Sequence, residues 1–438
     1  MSYQLILRGG TLLTHKGECE GDVAIRDGRI AEIGSFGEGA ADEVIDCAGL
    51  HILPGVIDTQ VHFREPGNEH KENLESGSRA AIMGGVVAVF EMPNTAPPTT
   101  SVDALEDKLR RAENNMHCDY AFYAGGTPDN AELLPEMERL AGCCGVKVFM
   151  GSSTGDLLVP DDENVGKIIR HITRRAAFHS EDEFLLRKQV HLAEKGNVNS
   201  HPVWRDEQVA FSCTKRLLAL AEKEQKQIHV LHVTTKSEME LLAKHRSIAS
   251  VEVTPQHLTL AAPECYDELG SFAQMNPPIR EAKHREALWR ALSAGIVDVI
   301  GSDHAPHSRE EKAADYPKSP AGMPGVQTLL PLMLEHVHAK RLSRQRLVEL
   351  TSLNAHRLFK LANKGKMEKG FDADFTLVDF AAKKVISEDW LQSKCGWSPF
   401  TGKEVHGWPI ATIIRGNIVM REGELIAPSL GKPIEFMS

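Results

Sequence analysis

Hydrophobic and polar positions divide the chain into three stretches. Over the first ~50 residues, short apolar runs alternate with polar residues and turn signals, which predicts strands joined by tight turns. MSYQLILRGGTLL reads as a strand, and Asp27-Gly28, between VAI and RIAEIG, predicts a hairpin turn. The end of the chain has the same character: FTLVDF, ATIIRGNIVM and GELIA are strand-like, with Gly416-Asn417 as a turn. Between these ends, eight apolar, β-branched runs recur: VIDTQVHF, VVAVFEM, YAFYAGG, GVKVFM, AAFHS, IHVLHV, SVEVT and VDVIGSD. Longer segments such as DALEDKLRRAENN and TKRLLALAEKEQK, apolar at helical spacing and charged elsewhere, separate several of them. Strand–helix alternation predicts a parallel sheet, and eight repeats over roughly 300 residues predict a closed barrel. The expected fold class is therefore α/β: a (β/α)8 TIM-type barrel with a small β-sandwich domain built from both termini. The expected boundaries are 54–362 for the barrel and 1–53 plus 363–438 for the small domain.

Unusual polar residues collect at the C-terminal ends of the apolar runs. The first run ends in Gln60, His62 and Arg64; the second runs into Met92-Pro93-Asn94-Thr95. The fourth carries Lys147, the fifth ends at His179, the sixth at His232, and the eighth at Asp303 within GSDHAPH. In a barrel of parallel strands these ends converge on one mouth, where catalytic groups are placed. Each residue alone has a bland reading. A strand-end histidine can be a hydrogen-bonded structural residue, Lys147 can snorkel to the surface, and Asp303 can cap the next helix. Their recurrence on successive strand ends is what the bland reading does not explain.

The residue types suit one chemistry. Neutral imidazole and carboxylate are good ligands for Zn²⁺ and similar ions. Such an ion lowers the pKa of bound water towards 7, and a nearby carboxylate can carry the proton to a leaving nitrogen. Lys147 fits beside a cation if it is neutral, or if CO2 converts it to a carbamate able to bridge two metals.

Composition narrows the setting. The 438 residues are 42% hydrophobic and 25% charged, as in ordinary globular proteins. A net charge of -11 with no basic cluster argues against nucleic acid as a partner. No apolar run approaches the ~20 residues that span a bilayer, and the N-terminus lacks a basic region followed by a long apolar core. The eight cysteines form no CxxC pair, so reduced thiols in a cytoplasmic protein are expected.

LPGVIDTQVHFREPG, EMPNT, GVKVFMGSS, FHSED, HVLHVTT, MNPPIR and SDHAPHS, with the late segments KGFDADFTLVD and CGWSPFTG, resemble the dihydroorotases of the amidohydrolase superfamily. The likeness spans essentially the whole chain and is to the long-chain group that includes allantoinases and dihydropyrimidinases. It implies one or two Zn²⁺ per chain. His62 and Asp303 would hold one metal, His179 and His232 the other, and Lys147, as a carbamate, would bridge them. Asp303 would also shuttle the proton. Arg64, Asn94 and His307 would contact the substrate carboxylate and Asn276 the ring; hydantoin-ring enzymes typically lack the arginine. The implied reaction is the reversible cyclisation of N-carbamoyl-L-aspartate to L-dihydroorotate in pyrimidine synthesis. Ring closure consumes a proton and is favoured at lower pH.

This sequence departs from the family pattern at Gln60, where the first motif usually has histidine; an amide oxygen is a weaker ligand for Zn²⁺ than imidazole. Gln256 and Gln327 also replace residues common in relatives. Two alternatives follow: a non-catalytic partner of aspartate transcarbamoylase, and a hydantoinase- or allantoinase-type enzyme. Retention of Lys147, His179, His232 and Asp303 opposes the first, and Arg64 and His307 oppose the second. A homodimer is expected from general frequency.

Overall fold

The computed structural model describes residues 2–152 and 157–437; Met1, Ser438 and residues 153–156, including the last serine of the GVKVFMGSS segment, lie outside the described residues. The N-terminal strands are β1 (Tyr3–Thr14), β2 (Gly17–Arg26), β3 (Arg29–Gly34), β4 (Ala41–Asp46) and β5 (His51–Pro54). Eight more follow through the middle of the chain: β6 (Val56–Val61), β7 (Val86–Glu91), β8 (Asp119–Gly125), β9 (Cys143–Phe149), β10 (Ala176–His179), β11 (Ile228–Val230), β12 (Ala249–Val253) and β13 (Val299–Ile300). β14 (Phe375–Val385), β15 (Glu404–Ile414), β16 (Asn417–Arg421) and β17 (Glu424–Leu425) come last.

The middle strands form one parallel sheet in sequence order from β6 to β13. The ring closes where Val61 bridges His304 and the His62 N–H donates to His304 O at 2.7 Å. Every residue of β6 to β9 is buried. That is the expected state of parallel strands covered on both faces, and it is why they read as unbroken apolar runs. Phe90 shows how tightly the interior is packed, lying edge-on to Phe359 with ring centroids 5.1 Å apart. Truncating such a side chain to alanine costs about 3–5 kcal/mol. The covering helices start on side-chain caps, as at Asn73 before Leu74–Met83 and Asp206 before Glu207–Lys223. The second of these begins well before the TKRLLALAEKEQK segment, because the Asp206 side chain accepts from the Val209 N–H.

The two ends of the chain meet in a continuous nine-stranded sheet of order β17-β16-β15-β14-β5-β1-β2-β3, with β4 parallel to β1. The seam is β5 against β14, where Pro54 pairs with Phe375 and Ile52 with Leu377. Leu7, Val23, Ile25, Ile52, Phe375 and Ile413 bury into one core drawn from both ends. Asp27-Gly28 forms the expected turn, both residues at positive φ. The C-terminal turn falls one position earlier than the sequence pattern suggests. It is Arg415-Gly416, with φ of 46° and 74°, and Ile414 pairs with Asn417.

An ionic knot joins sheet and barrel. Lys364 contacts Asp119, Asp372 and Asp374, and Arg415 also contacts Asp119. Asp119, Asp372 and Asp374 are close enough together to bind a cation, but the Lys364 ammonium already holds all three. All eight cysteines are free thiols. Among the described residues no helix is long and apolar enough to cross a membrane.

Candidate metal centre and active site

One cleft is lined by Gln60, His62, Arg64, Asn94, Lys147, His179, His232, Asn276 and Asp303. They arrive at one place because each sits at or just beyond the C-terminal end of a barrel strand or in a loop following one. Three of them, Arg64, His232 and Asp303, hold left-handed backbone with φ of 66°, 36° and 45°. That conformation costs a non-glycine residue on the order of 1 kcal/mol and is concentrated where function fixes the backbone.

The deep end of the cleft is a nest of bases. His179 Nδ1 lies 3.2 Å from His232 Nε2, while His179 Nε2 lies 2.8 Å from Glu181 Oε2. The carboxylate can only accept, so the Nε2 proton goes to it and Nδ1 keeps a bare lone pair facing His232. Both imidazoles are held below their ordinary pKa, chiefly by burial. Burial also lowers Lys147 to about 7, and its Nζ has no hydrogen-bond partner among the described residues. Burial works against ionisation of Glu181, but Arg205, 2.6 Å away, and His179 keep its carboxyl well below the usual range.

Beside this nest, Asp303 Oδ1 lies 3.1 Å from His62 Nε2 and accepts from Gln60 Nε2 at 3.0 Å. His62 Nδ1 contacts Asn94 Oδ1 at 2.8 Å, so both ring nitrogens face acceptor oxygens and a neutral ring can donate to only one of them.

This donor set fits divalent cations. Two nitrogens bound at ~2.0–2.1 Å to one tetrahedral ion stand ~3.3 Å apart. The observed His179–His232 separation suits that, and burial lowers the Lys147 amine far enough for part of it to be neutral near pH 7. The His62–Asp303 pair offers a second seat, in which Gln60 is the weak member; its Oε1 is buried without a hydrogen-bond partner among the described residues.

The outer wall is cationic. Arg64 is buried, and its pKa falls to about 10 for that reason. Among the described residues its contacts at hydrogen-bonding distance are with neutral groups: it donates to Pro306 O at 3.1 Å and lies 3.3 Å from the His307 ring. His307 sits behind Arg64 and is held well below its ordinary pKa by burial first and then by Arg64, Lys71 and Lys312. Asn276 is fixed by His201, whose Nε2 lies 3.0 Å from its Oδ1.

Residues 51–419 match the Amidohydrolase family. The chain belongs to that family. A dihydroorotase of Methanosarcina acetivorans is 36% identical, with 94% of this chain and 91% of that protein aligned. An allantoinase of Rubrobacter xylanophilus is 34% identical over 98% of this chain and 97% of its own length. Among solved structures, the L-hydantoinase (dihydropyrimidinase) of Arthrobacter aurescens superposes with a TM-score of 0.94 at 29% identity, covering 99% of both chains. Amidohydrolase relatives of this chain thus carry more than one substrate name, and the site itself must discriminate among them.

Nine of the residues singled out in the sequence line the cleft, whereas His307, expected at the substrate carboxylate, is not among its lining residues and lies behind Arg64. Sequence reasoning missed the supporting shell. Glu181 was visible within FHSED, two positions after His179, and that spacing was the available signal. Arg205 and Lys71 carried none, because each reaches its partner only through the folded chain.

Proposed function

We propose that this amidohydrolase is a dihydroorotase, interconverting N-carbamoyl-L-aspartate and L-dihydroorotate. The observation that carries the reading is Arg64: a buried guanidinium on the wall of the metal-ligating cleft, with neutral partners. A buried cation of this kind calls for an anionic partner. The ring carboxylate of dihydroorotate supplies one, and a planar fork suits it bidentately. Dihydrouracil, hydantoin and allantoin carry no such group.

Lys147, His179 and His232 would hold one divalent cation, and His62 and Asp303, with Gln60, a second. Such a cation polarises a carbonyl and lowers the pKa of water. With its pKa lowered to about 7, Lys147 has a neutral, nucleophilic fraction at pH 7 that can take up CO2 as a carbamate, which would give a cation an anionic ligand. Glu181 holds the His179 ring with its lone pair inwards. Asp303 takes the proton of the attacking water and returns it to the ring nitrogen as the amide C–N bond breaks. Arg64, Asn94 and His307 hold the carboxylate, and Asn276 meets the ring.

The test is ring opening of L-dihydroorotate by purified protein supplied with Zn²⁺ and bicarbonate, alongside dihydrouracil, hydantoin and allantoin. Turnover of dihydroorotate that is lost on chelation and in Asp303→Ala is expected. Turnover of an uncharged ring with none of dihydroorotate overturns the reading in favour of a hydantoinase- or allantoinase-type activity. No turnover of any ring by folded, metal-loaded protein favours a non-catalytic partner of aspartate transcarbamoylase.

A further inference from the structure

His307 stands between two cations and can carry its proton on only one side if it is neutral. On one side, Lys71 Nζ lies 3.2 Å from Nδ1. On the other, Nε2 lies 3.1 Å from Ala321 O and 3.3 Å from Arg64 Nη2. An ammonium has only protons to offer and a carbonyl only lone pairs. With the proton on Nε2, Lys71 donates to Nδ1 and Nε2–H donates to Ala321 O, while Arg64 Nη2 and Nε2–H approach as two donors with no acceptor between them. With the proton on Nδ1, the ring would face an ammonium, Ala321 O would face a lone pair, and only the longer Arg64 contact would remain. Glu311 Oε2 cannot rescue that tautomer, since it lies 3.7 Å from Nδ1.

Lys71 is itself anchored, with Nζ 3.0 Å from Glu311 Oε1. The charged groups around His307 are therefore Arg64, Lys71, Glu311 and Lys312. The ring's backbone is held too, since Trp397 Nε1 donates to His307 O at 2.8 Å. Gly322 leaves the space in front of Nε2 open, because a Cβ there would lie 3.1 Å from that nitrogen and 2.5 Å from Ala305 O.

We propose that Lys71, anchored on Glu311, is a positioning residue that fixes His307 as its Nε2–H tautomer, so that the Nε2–H, turned from Ala321 O, and Arg64 donate together to one acidic group of the substrate. The acid's identity rests on the dihydroorotase reading; the tautomer does not. Without Lys71 the ring is free to carry its proton on Nδ1, and Nε2 would then turn a lone pair on the incoming carboxylate. Specificity for an acid-bearing ring would thus be set partly by a lysine that never touches it.

The test is ¹⁵N-histidine spectroscopy of the full-length protein without substrate, with the His307 signals assigned by their loss in His307→Asn. The wild-type ring should show bare Nδ1 and protonated Nε2 at neutral pH; a protonated Nδ1 overturns the proposal whether or not any variant folds. In Lys71→Met, Nδ1 should become at least partly protonated, whereas Lys71→Arg, which still donates, should keep the wild-type pattern. For L-dihydroorotate, Lys71→Met should raise KM about tenfold or more with kcat little changed, the loss of one charge-assisted hydrogen bond, and Lys71→Arg should restore it. An unchanged tautomer and KM in folded Lys71→Met also overturns the proposal. Failure of the dihydroorotase reading would show separately, as absent turnover beside an intact tautomer pattern.

Discussion

The side-chain amide of Gln60 donates to Asp303 Oδ1, the same carboxylate oxygen that His62 Nε2 approaches to 3.1 Å. Asp303 therefore has a neutral hydrogen-bonding neighbour at a position where imidazole would offer a stronger metal ligand. Gln60→His should raise the Zn²⁺ bound per chain, by up to about one ion, as read by elemental analysis after dialysis at matched free metal. Equal metal in the two proteins would place Gln60 outside the coordination shell or show the seat already full.

Arg64 makes a second, sharper prediction. Lysine keeps the charge but loses the planar fork. Arg64→Lys should raise KM for dihydroorotate by ~10–100-fold while leaving any weak turnover of dihydrouracil unmoved. Steady-state kinetics on the two rings decide it, and a parallel rise on both would show that Arg64 shapes the cleft rather than reads the acid.

The Arg205–Glu181–His179 chain orients a ligand from outside the cleft. Glu181→Gln keeps the shape and removes the charge. Metal affinity, measured by competition with a chelator, should fall ~10–100-fold, as when other outer partners of metal-binding histidines are changed. Unaltered affinity would mean that the Phe149 ring, its centroid 6.1 Å from that of His179, already orients the imidazole.

Stability should depend on pH through the buried His201 and His257 and the half-buried His336. Burial first, helped by nearby arginines, lowers His201 to about 3 and His257 and His336 to about 4. An unfolded chain titrates near ~6.5. Between those values the unfolded state binds protons that the folded state lacks, so stability is full above about pH 6.5 and falls as pH drops towards 4. His336→Gln removes one such group. Its loss of unfolding free energy from pH 7.5 to 5, measured with urea, should be smaller than wild type by about 2 kcal/mol. An identical loss would mean that His336 titrates normally in the fold.

Much of this was legible because it is periodic. The eight barrel strands announced themselves as apolar runs, and the ligating residues as polar interruptions at their ends. What stayed hidden depends on partners distant in sequence. Arg205 reaches Glu181 only after the chain has turned back, and nothing local distinguishes it from a surface arginine. Lys71 reads as solvated until His307 lies beside it. The displaced C-terminal turn has the same origin. Asn417 is the better turn former by local preference, yet Arg415 takes a positive φ because its N–H donates to Asp374 Oδ1 at 2.7 Å and its guanidinium is held by Asp119.

The seam between β5 and β14 has a consequence for how the chain is made. Pro54 pairs with Phe375, so the first strands leave the ribosome long before the strands that complete their sheet. At about 5–20 residues per second, that interval is on the order of tens of seconds. During it the barrel sequence can collapse locally, while the apolar faces of Leu7, Val23 and Ile52 wait uncovered. Nascent-chain protection from chaperones and proteases should thus be decided at the amino-terminal edge, by how quickly the last strands of the protein arrive to cover it.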